Sequence, residues 1–219
     1  MENQLNSKGN NQNNIEFVIS LANFRDAEGI HKVLMHNLVE IDDVNKLTPN
    51  QRESLEEHGF LRKKVDLDFY IRLIKDPTVN VYTAKDNTGE VIGFATIYNY
   101  YQNVRNLRDT AIDLHVENDL TNELLTANNK QFAYLDQISV NPQYQRKGIG
   151  TAILKQALNE IKEPFVSFIV DAPLANKASA RWHEQNGFKL EATADGTYKG
   201  VPFKWSIYIN WNKVNQNLL

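Results

Sequence analysis

The run Asn141-Pro-Gln-Tyr-Gln-Arg-Lys-Gly-Ile-Gly150 constrains this chain more than any other stretch. It follows an apolar, strand-like segment, Phe132 to Val140, and leads into a helix-like one, Thr151 to Ile161. A glycine-spaced turn between strand and helix gathers backbone N–H groups at the positive end of a helix dipole. That is a seat for a phosphate or pyrophosphate. Glycine matters because a Cβ would hold the ligand away from the backbone. The pattern is Gln-x-x-Gly-x-Gly, which is neither a Walker loop nor the Gly-x-Gly-x-x-Gly of dinucleotide folds. On its own it also fits a tight connection that binds nothing.

Composition narrows the setting. At 219 residues the chain suits one domain with one core, or a domain with an inserted subregion. A formal charge of −3 gives no general attraction to nucleic acid or to an acidic membrane, so neither is an expected partner. Zero cysteines exclude disulfides, thiolate zinc sites and a cysteine–acyl intermediate, and fit a reducing compartment. Residues 1–14 are polar and Asn/Gln-rich, a disordered lead-in without the apolar core of a signal peptide. No run is long enough to cross a bilayer. The chain reads as soluble and cytoplasmic, with one domain over 15–212 and a short tail at 213–219.

Along the chain, Ile15 to Leu21 reads as a strand. Asp26 is placed to cap a helix with Ile30, Val33, Leu34, Asn37 and Leu38 on one face. Thr48-Pro49-Asn50-Gln51 is a capping box with Pro in the first turn, and Gly59 ends that helix. Asp66 caps another, with Phe69, Tyr70, Leu73 and Ile74 as its buried stripe. Val81–Lys85 and Val91–Tyr98 are strands joined by the hairpin turn Asp86-Asn87-Thr88-Gly89. Residues 99–131 are a long connection or insertion with one short helix near Asp119–Thr126. Strands follow at Phe132–Val140, Phe165–Val170, Phe188–Ala192 and Phe203–Trp211. Asp195-Gly196 and Lys199-Gly200 punctuate the last link. Trp205, Tyr208 and Trp211 supply either core or a homodimer contact.

A second signature lies one strand beyond the turn: Asn176-Lys-Ala-Ser-Ala-Arg-Trp-His-Glu-Gln-Asn-Gly187-Phe188. It is an Asn opening a helix, a small-residue face, and Gly-Phe closing into the next strand. In order and spacing, the two signatures resemble those of the GCN5-related N-acetyltransferase (GNAT) family, and the likeness covers about Ile15 to Trp211. It implies an α/β fold: a mixed, mostly antiparallel sheet flanked by helices, with two central strands splayed apart. The implied reaction is acetyl transfer from acetyl-CoA to a primary amine by direct attack in a ternary complex.

By position, the resemblance implies that Ile138, Ser139 and Val140 line the pantetheine, with a free N–H near Ile138 for the oxyanion. Gln145, Arg146, Lys147, Gly148, Ile149, Gly150 and Thr151 would present N–H groups to the pyrophosphate, Arg146 and Lys147 adding charge. Asn176 would contact the pantetheine or cap its helix, and Ser179, one turn on, is a weaker contact. Two departures stand out. His183 occupies the place where many members carry a Tyr that protonates the leaving thiolate; an imidazole of ordinary pKa can also donate near neutrality. Tyr134 occupies the place of a Glu base.

Asp136, two residues on, shares the Tyr134 face under strand alternation and is the candidate base, with Gln137 on the opposite face. Tyr198 and Tyr208 are alternative acids. The histidines show no metal-site spacing, so no metal is expected. The expected acceptor is a small-molecule amine, with Asp109, Asp113, Glu117 and Asp119 either meeting a cationic acceptor or facing solvent. Alternatives are a protein N-terminus or lysine as acceptor, and a non-catalytic acyl-CoA-binding module.

Overall fold

A computed structural model describes residues 15–40, 44–101, 112–198 and 200–212. The expected tails 1–14 and 213–219, Asp109, and the side chain of Tyr198 lie outside the described residues. Local sequence rules set most element boundaries. Strand β1 (Phe17–Leu21) leads through a 3-10 turn into α1 (Ala27–Asn37), which buries Ile30, Val33 and Leu34. Asp26 stands at the start of α1 but does not cap it. Its carboxylate bonds back to the Asn23 N–H and pairs with Lys85 at 2.8 Å. Helix α2 (Pro49–His58) opens on the Thr48/Gln51 capping box and stops at Gly59, whose φ of 82° favours glycine. Helix α3 (Leu67–Lys75) is capped by Asp66, which accepts the Phe69 N–H.

The strands β2 (Val79–Asp86), β3 (Val91–Tyr101), β4 (Ile112–Val116), β5 (Phe132–Val140), β6 (Phe165–Ala172), β7 (Lys189–Tyr198) and β8 (Val201–Asn210) join β1 in one sheet. Its order is β1-β2-β3-β5-β6-β8-β7-β4. Every pairing is antiparallel except β5 with β6. Three helices complete the described elements: α4 (Asp119–Thr126), α5 (Ile149–Glu160) and α6 (Lys177–Gln185). This is the mixed, mostly antiparallel α/β sheet that the sequence implied.

Residues 99–131 are more than a connection. Strand β3 runs on to Tyr101, the short helix appears as expected at Asp119–Thr126, and Ile112–Val116 forms an edge strand on β7. Asp195-Gly196 does not break the last link either. Both residues sit inside β7, opposite Lys204 and Phe203, and β8 begins just after Gly200.

Apolar residues on the two faces of the sheet build separate cores. On one, Ala133, Leu135, Ile153, Leu154, Phe165 and Phe188 pack with α5 and with Trp182 of α6. On the other, Ile30, Leu34, Tyr70, Leu73 and Phe94 join α1 and α3 to β2 and β3, and Tyr134, Phe203 and Trp205 continue that face toward α4. Trp205 and Tyr208 are core residues, and Trp211 packs half-buried against the cluster around Trp205.

Candidate active site

Strands β5 and β6 pair only at Ala133–Phe165 and Tyr134–Val166, and then part. A cavity of about 1240 Å³ opens in the gap and is lined from both faces of the sheet. The Asn141 N–H donates to Ile92 O, so the alternation of an antiparallel ladder turns the backbone of Ile138 and Val140 away from β3, into the gap. Ser139 lines the cavity, but its backbone belongs to the ladder opposite Phe94. Two side-chain amides already occupy the Val140 carbonyl: Asn37 Nδ2 at 3.2 Å and Gln145 Nε2 at 3.3 Å. That leaves Ile138's N–H and C=O and Val140's N–H for a guest. Gln145 therefore braces the turn with its side chain as well as contributing to it.

The turn ends on Gly148, with φ 78° and open space where a Cβ would stand. Helix α5 begins at Ile149, two residues earlier than its apolar pattern suggested. Ala152 is the first amide of α5 to bond back, to Gly148 O, so the N–H groups of Ile149, Gly150 and Thr151 precede the helical ladder. Helices α2, α3, α4 and α6 all have side-chain caps, whereas α5 starts on a glycine with none. Gly150 backs onto the Trp182 indole. Arg146, itself left-handed at φ 61°, and Lys147 are exposed on the turn, and Lys147 Nζ lies over the Tyr144 ring. This seat suits a pyrophosphate: it is glycine-lined, rich in donors and flanked by two cations.

Asn176 is committed to the protein at both ends of its amide. Its Oδ1 caps α6 by accepting the Ser179 N–H, and its Nδ2 donates to Phe60 O at 2.9 Å. The second bond ties the segment after α2 across the cavity, where Gly59 approaches Asn176 and Ala178 closely. Ser179 follows one turn later, its hydroxyl 3.4 Å from His183 Nδ1.

His183 departs furthest from the reading of the sequence. It is 1% exposed and packed between Trp182 and Phe188. Its Nδ1 lies 2.7 Å from Ser179 O, which only an N–H can satisfy, so Nε2 is the acceptor facing Ser167 Oγ at 3.1 Å. Burial pushes its pKa down to about 4, against a smaller opposing pull from the Ser179 carbonyl. The ring is neutral at physiological pH, with both nitrogens engaged, and so it is not the imidazolium acid its position suggested. Ser167 Oγ also lies 3.1 Å from Leu135 O, where the two strands separate, so its one hydroxyl proton is shared between that carbonyl and Nε2. Tyr208 is no substitute. Its hydroxyl bonds Glu184, and burial followed by that carboxylate pushes its pKa up to about 12.

The register of β5 on β3 jumps from Gln137–Thr96 to Leu135–Ile97, so Asp136 is the extra residue of a β-bulge. The bulge overturns the simple alternation. Asp136 bonds Lys63, whose ammonium lies over Phe69, while Gln137 Oε1 accepts from the adjacent Tyr70 hydroxyl. Asp136 and Gln137 thus leave the strand toward the same helix, α3. Gln137 Nε2 is buried with no hydrogen-bond partner among the described residues. Tyr134 lines the cavity as an aromatic wall, stacked on Tyr98 and edge-on to Phe168. Arg62 completes the wall, its guanidinium 4.9 Å from the centre of the Phe203 ring. Asp113, Glu117 and Asp119 do not line this cavity, and Asp113 is turned to solvent at the far edge of the sheet.

The sequence reading missed Phe60, Arg62, Lys63, Gln137, Ser167 and Phe203. The tract Arg62-Lys63-Lys64 after a helix-ending glycine was the one visible hint.

A profile of the Acetyltransferase (GNAT) family matches residues 41–188, more than half of the chain. The chain belongs to the GNAT family of acetyltransferases. No curated protein sequence matches it at the same standard. Solved structures share its fold at low identity. The ribosomal-protein-S18-alanine N-acetyltransferase from Escherichia coli is 15% identical with a TM-score of 0.55, covering 93% of this chain and 99% of that one. NAA60 from Arabidopsis thaliana in complex with acetyl-CoA is 14% identical with a TM-score of 0.53, covering 90% and 99%. The PaiA N-acetyltransferase from Thermoplasma acidophilum in complex with coenzyme A is 15% identical with a TM-score of 0.53, covering 87% and 98%. Among the described residues no helix is long and apolar enough to cross a membrane, and no cluster of metal-ligating side chains occurs.

Proposed function

We propose that this GNAT member is an acetyl-CoA-dependent N-acetyltransferase acting on a primary amine of a small molecule, with Asp136 as the group that takes the amine's proton. The observation that carries the reading is the place of Asp136. A bulge sets this nearly buried carboxylate on the cavity wall just where β5 leaves β6. The turn at one end of the same cavity has the donors a CoA pyrophosphate needs, and the NAA60 and PaiA structures hold acetyl-CoA and coenzyme A. When bound, acetyl-CoA supplies an acetyl group already activated as a thioester.

The rest is the work of the chain's own residues. The N–H groups of Ile149, Gly150 and Thr151 hold the phosphates, and the backbone of Ile138 and the N–H of Val140 hold the pantetheine like an added strand. The Ile138 N–H is the candidate oxyanion donor. Asp136 holds the incoming ammonium, deprotonates it and orients it. Gln137 Nε2, a buried donor without a protein partner, is a ready contact for a carbonyl or carboxylate on the acceptor. His183 acts as a positioning residue, holding Ser167 against the point of strand separation. No strong acid is required, because a thiol has a pKa near 8.5 and leaves readily as thiolate. The absence of cysteine is in keeping with a cytoplasmic setting.

The test is thiol release from acetyl-CoA with the purified protein at about pH 8, offered pools of polyamines, aminoglycosides, amino acids and short peptides. Release with a small-molecule pool supports the proposal. Release with peptides alone moves the acceptor to a protein N-terminus or lysine. Binding of acetyl-CoA with silence from every pool favours a non-catalytic acyl-CoA-binding module.

A further inference from the structure

We propose that Lys63 is itself an acetyl acceptor, modified within its own chain at the amine seat of Asp136. The inference rests on the acetyl-CoA reading above. Lys63 Nζ lies 3.1 Å from Asp136 Oδ2, which is where an acceptor ammonium would bind. The carboxylate side chain is 10% exposed, so little water competes for it, whereas that of Lys63 is 43% exposed. Neither partner arrives there by chance of a floppy side chain. The Asn176–Phe60 bond pins the segment bearing Lys63, and the ammonium sits 4.7 Å above the Phe69 ring. Phe69 is fixed in turn by the Asp66 cap. Lys63 is the only lysine among the described residues lining the cavity. Lys32, Lys64, Lys130 and Lys177 pair with glutamates elsewhere.

The chemistry balances without a further reactant. Lys63 Nζ gives one proton to Asp136, and its freed lone pair forms the N–C bond to the acetyl carbon. The C–S bond breaks with its electrons on sulfur. Nitrogen loses two protons in all: one ends on the CoA thiol, and the other passes to solvent through Asp136. The product is a neutral amide, so the modification removes the cation from Asp136 and changes the charge seen by any later acceptor.

The experiment incubates the full chain with acetyl-CoA and no added amine, at several protein concentrations, and maps acetylated peptides by mass spectrometry. Lys63 should be modified well ahead of exposed Lys75, with a first-order rate constant independent of protein concentration. Asp136→Asn should slow it by about a hundredfold. Acetic anhydride, which needs no seat, gives a reading without acetyl-CoA. It should label Lys63 more slowly than Lys75 in the native protein, because the carboxylate holds Nζ against the cavity wall, and the gap should close in Asp136→Asn. Lys63→Arg keeps the ion pair and should lose the modified peptide.

Lys63 keeping pace with Lys75 under acetyl-CoA, or a rate rising with protein concentration, overturns the inference. A protein that acetylates a pooled amine but leaves Lys63 untouched overturns this inference alone. One that fails to bind acetyl-CoA overturns the reading beneath it too.

Discussion

The two ends of the cavity are built from different materials. The end proposed for the cofactor is backbone: a left-handed Gly148, an uncapped helix start, and strand groups turned into a gap, all within residues 138–151. The acceptor end is side chains brought from far apart: Lys63 meets Asp136 across 73 residues, and Asn176 ties down Phe60 across 116. Backbone donors tolerate changes of side chain as long as the turn keeps its shape. Side-chain contacts change with one substitution. This fold can therefore keep one cosubstrate while its acceptor drifts, and damage to the two ends should separate kinetically.

The largest separation should come from Asp136→Asn. Loss of the base should lower kcat by roughly 10²–10⁴-fold and leave acetyl-CoA affinity, measured by calorimetry, unchanged. A parallel loss of affinity would mean that the two ends are one unit.

His183, between the two ends, should show itself in stability. Its folded pKa of about 4 lies below the ordinary 6.5, so the unfolded chain binds more protons between those values. The contribution is full above pH 6.5 and is lost as pH falls toward 4, by about 3 kcal/mol. Denaturant titrations of wild type and His183→Gln across that window should differ in slope. Equal slopes would return His183 to the list of candidate acids.

At the cofactor end, Gly148→Val places a β-branched residue at φ 78°. The strain of about 1–2 kcal/mol should weaken acetyl-CoA binding roughly five- to thirtyfold, with kcat at saturation preserved. The smallest effect belongs to Arg181→Ala, which removes a bridge to Glu57 on an exposed face. Tm should stay within measurement error, since such pairs are screened by water. A clear drop would show that α2 is held on α6 more by charge than by the Asn176–Phe60 bond.

What the sequence made legible follows the same division. The Gln-x-x-Gly-x-Gly turn, the Thr48 box, the Asp66 cap and the short helix at Asp119 are local patterns, and local chemistry decides them. Strand β4 was harder. Ile112, Leu114 and Val116 do alternate, but over five residues on a sheet edge, where the signal is short. The bulge at Asp136 has no local signature, since it exists only in the register with β3, and it turns Gln137 onto the face that Tyr134 and Asp136 share. Position alone also misjudged His183, because the burial that sets its protonation comes from Trp182, Phe188 and Tyr208 together.

The most direct test of the account pairs two readings on the wild type and Asp136→Asn: acetyl-CoA affinity, and thiol release with whichever amine pool is active. The account predicts equal affinity and release that is nearly abolished in the variant. Equal release from both proteins would contradict it and remove Asp136 from the chemistry.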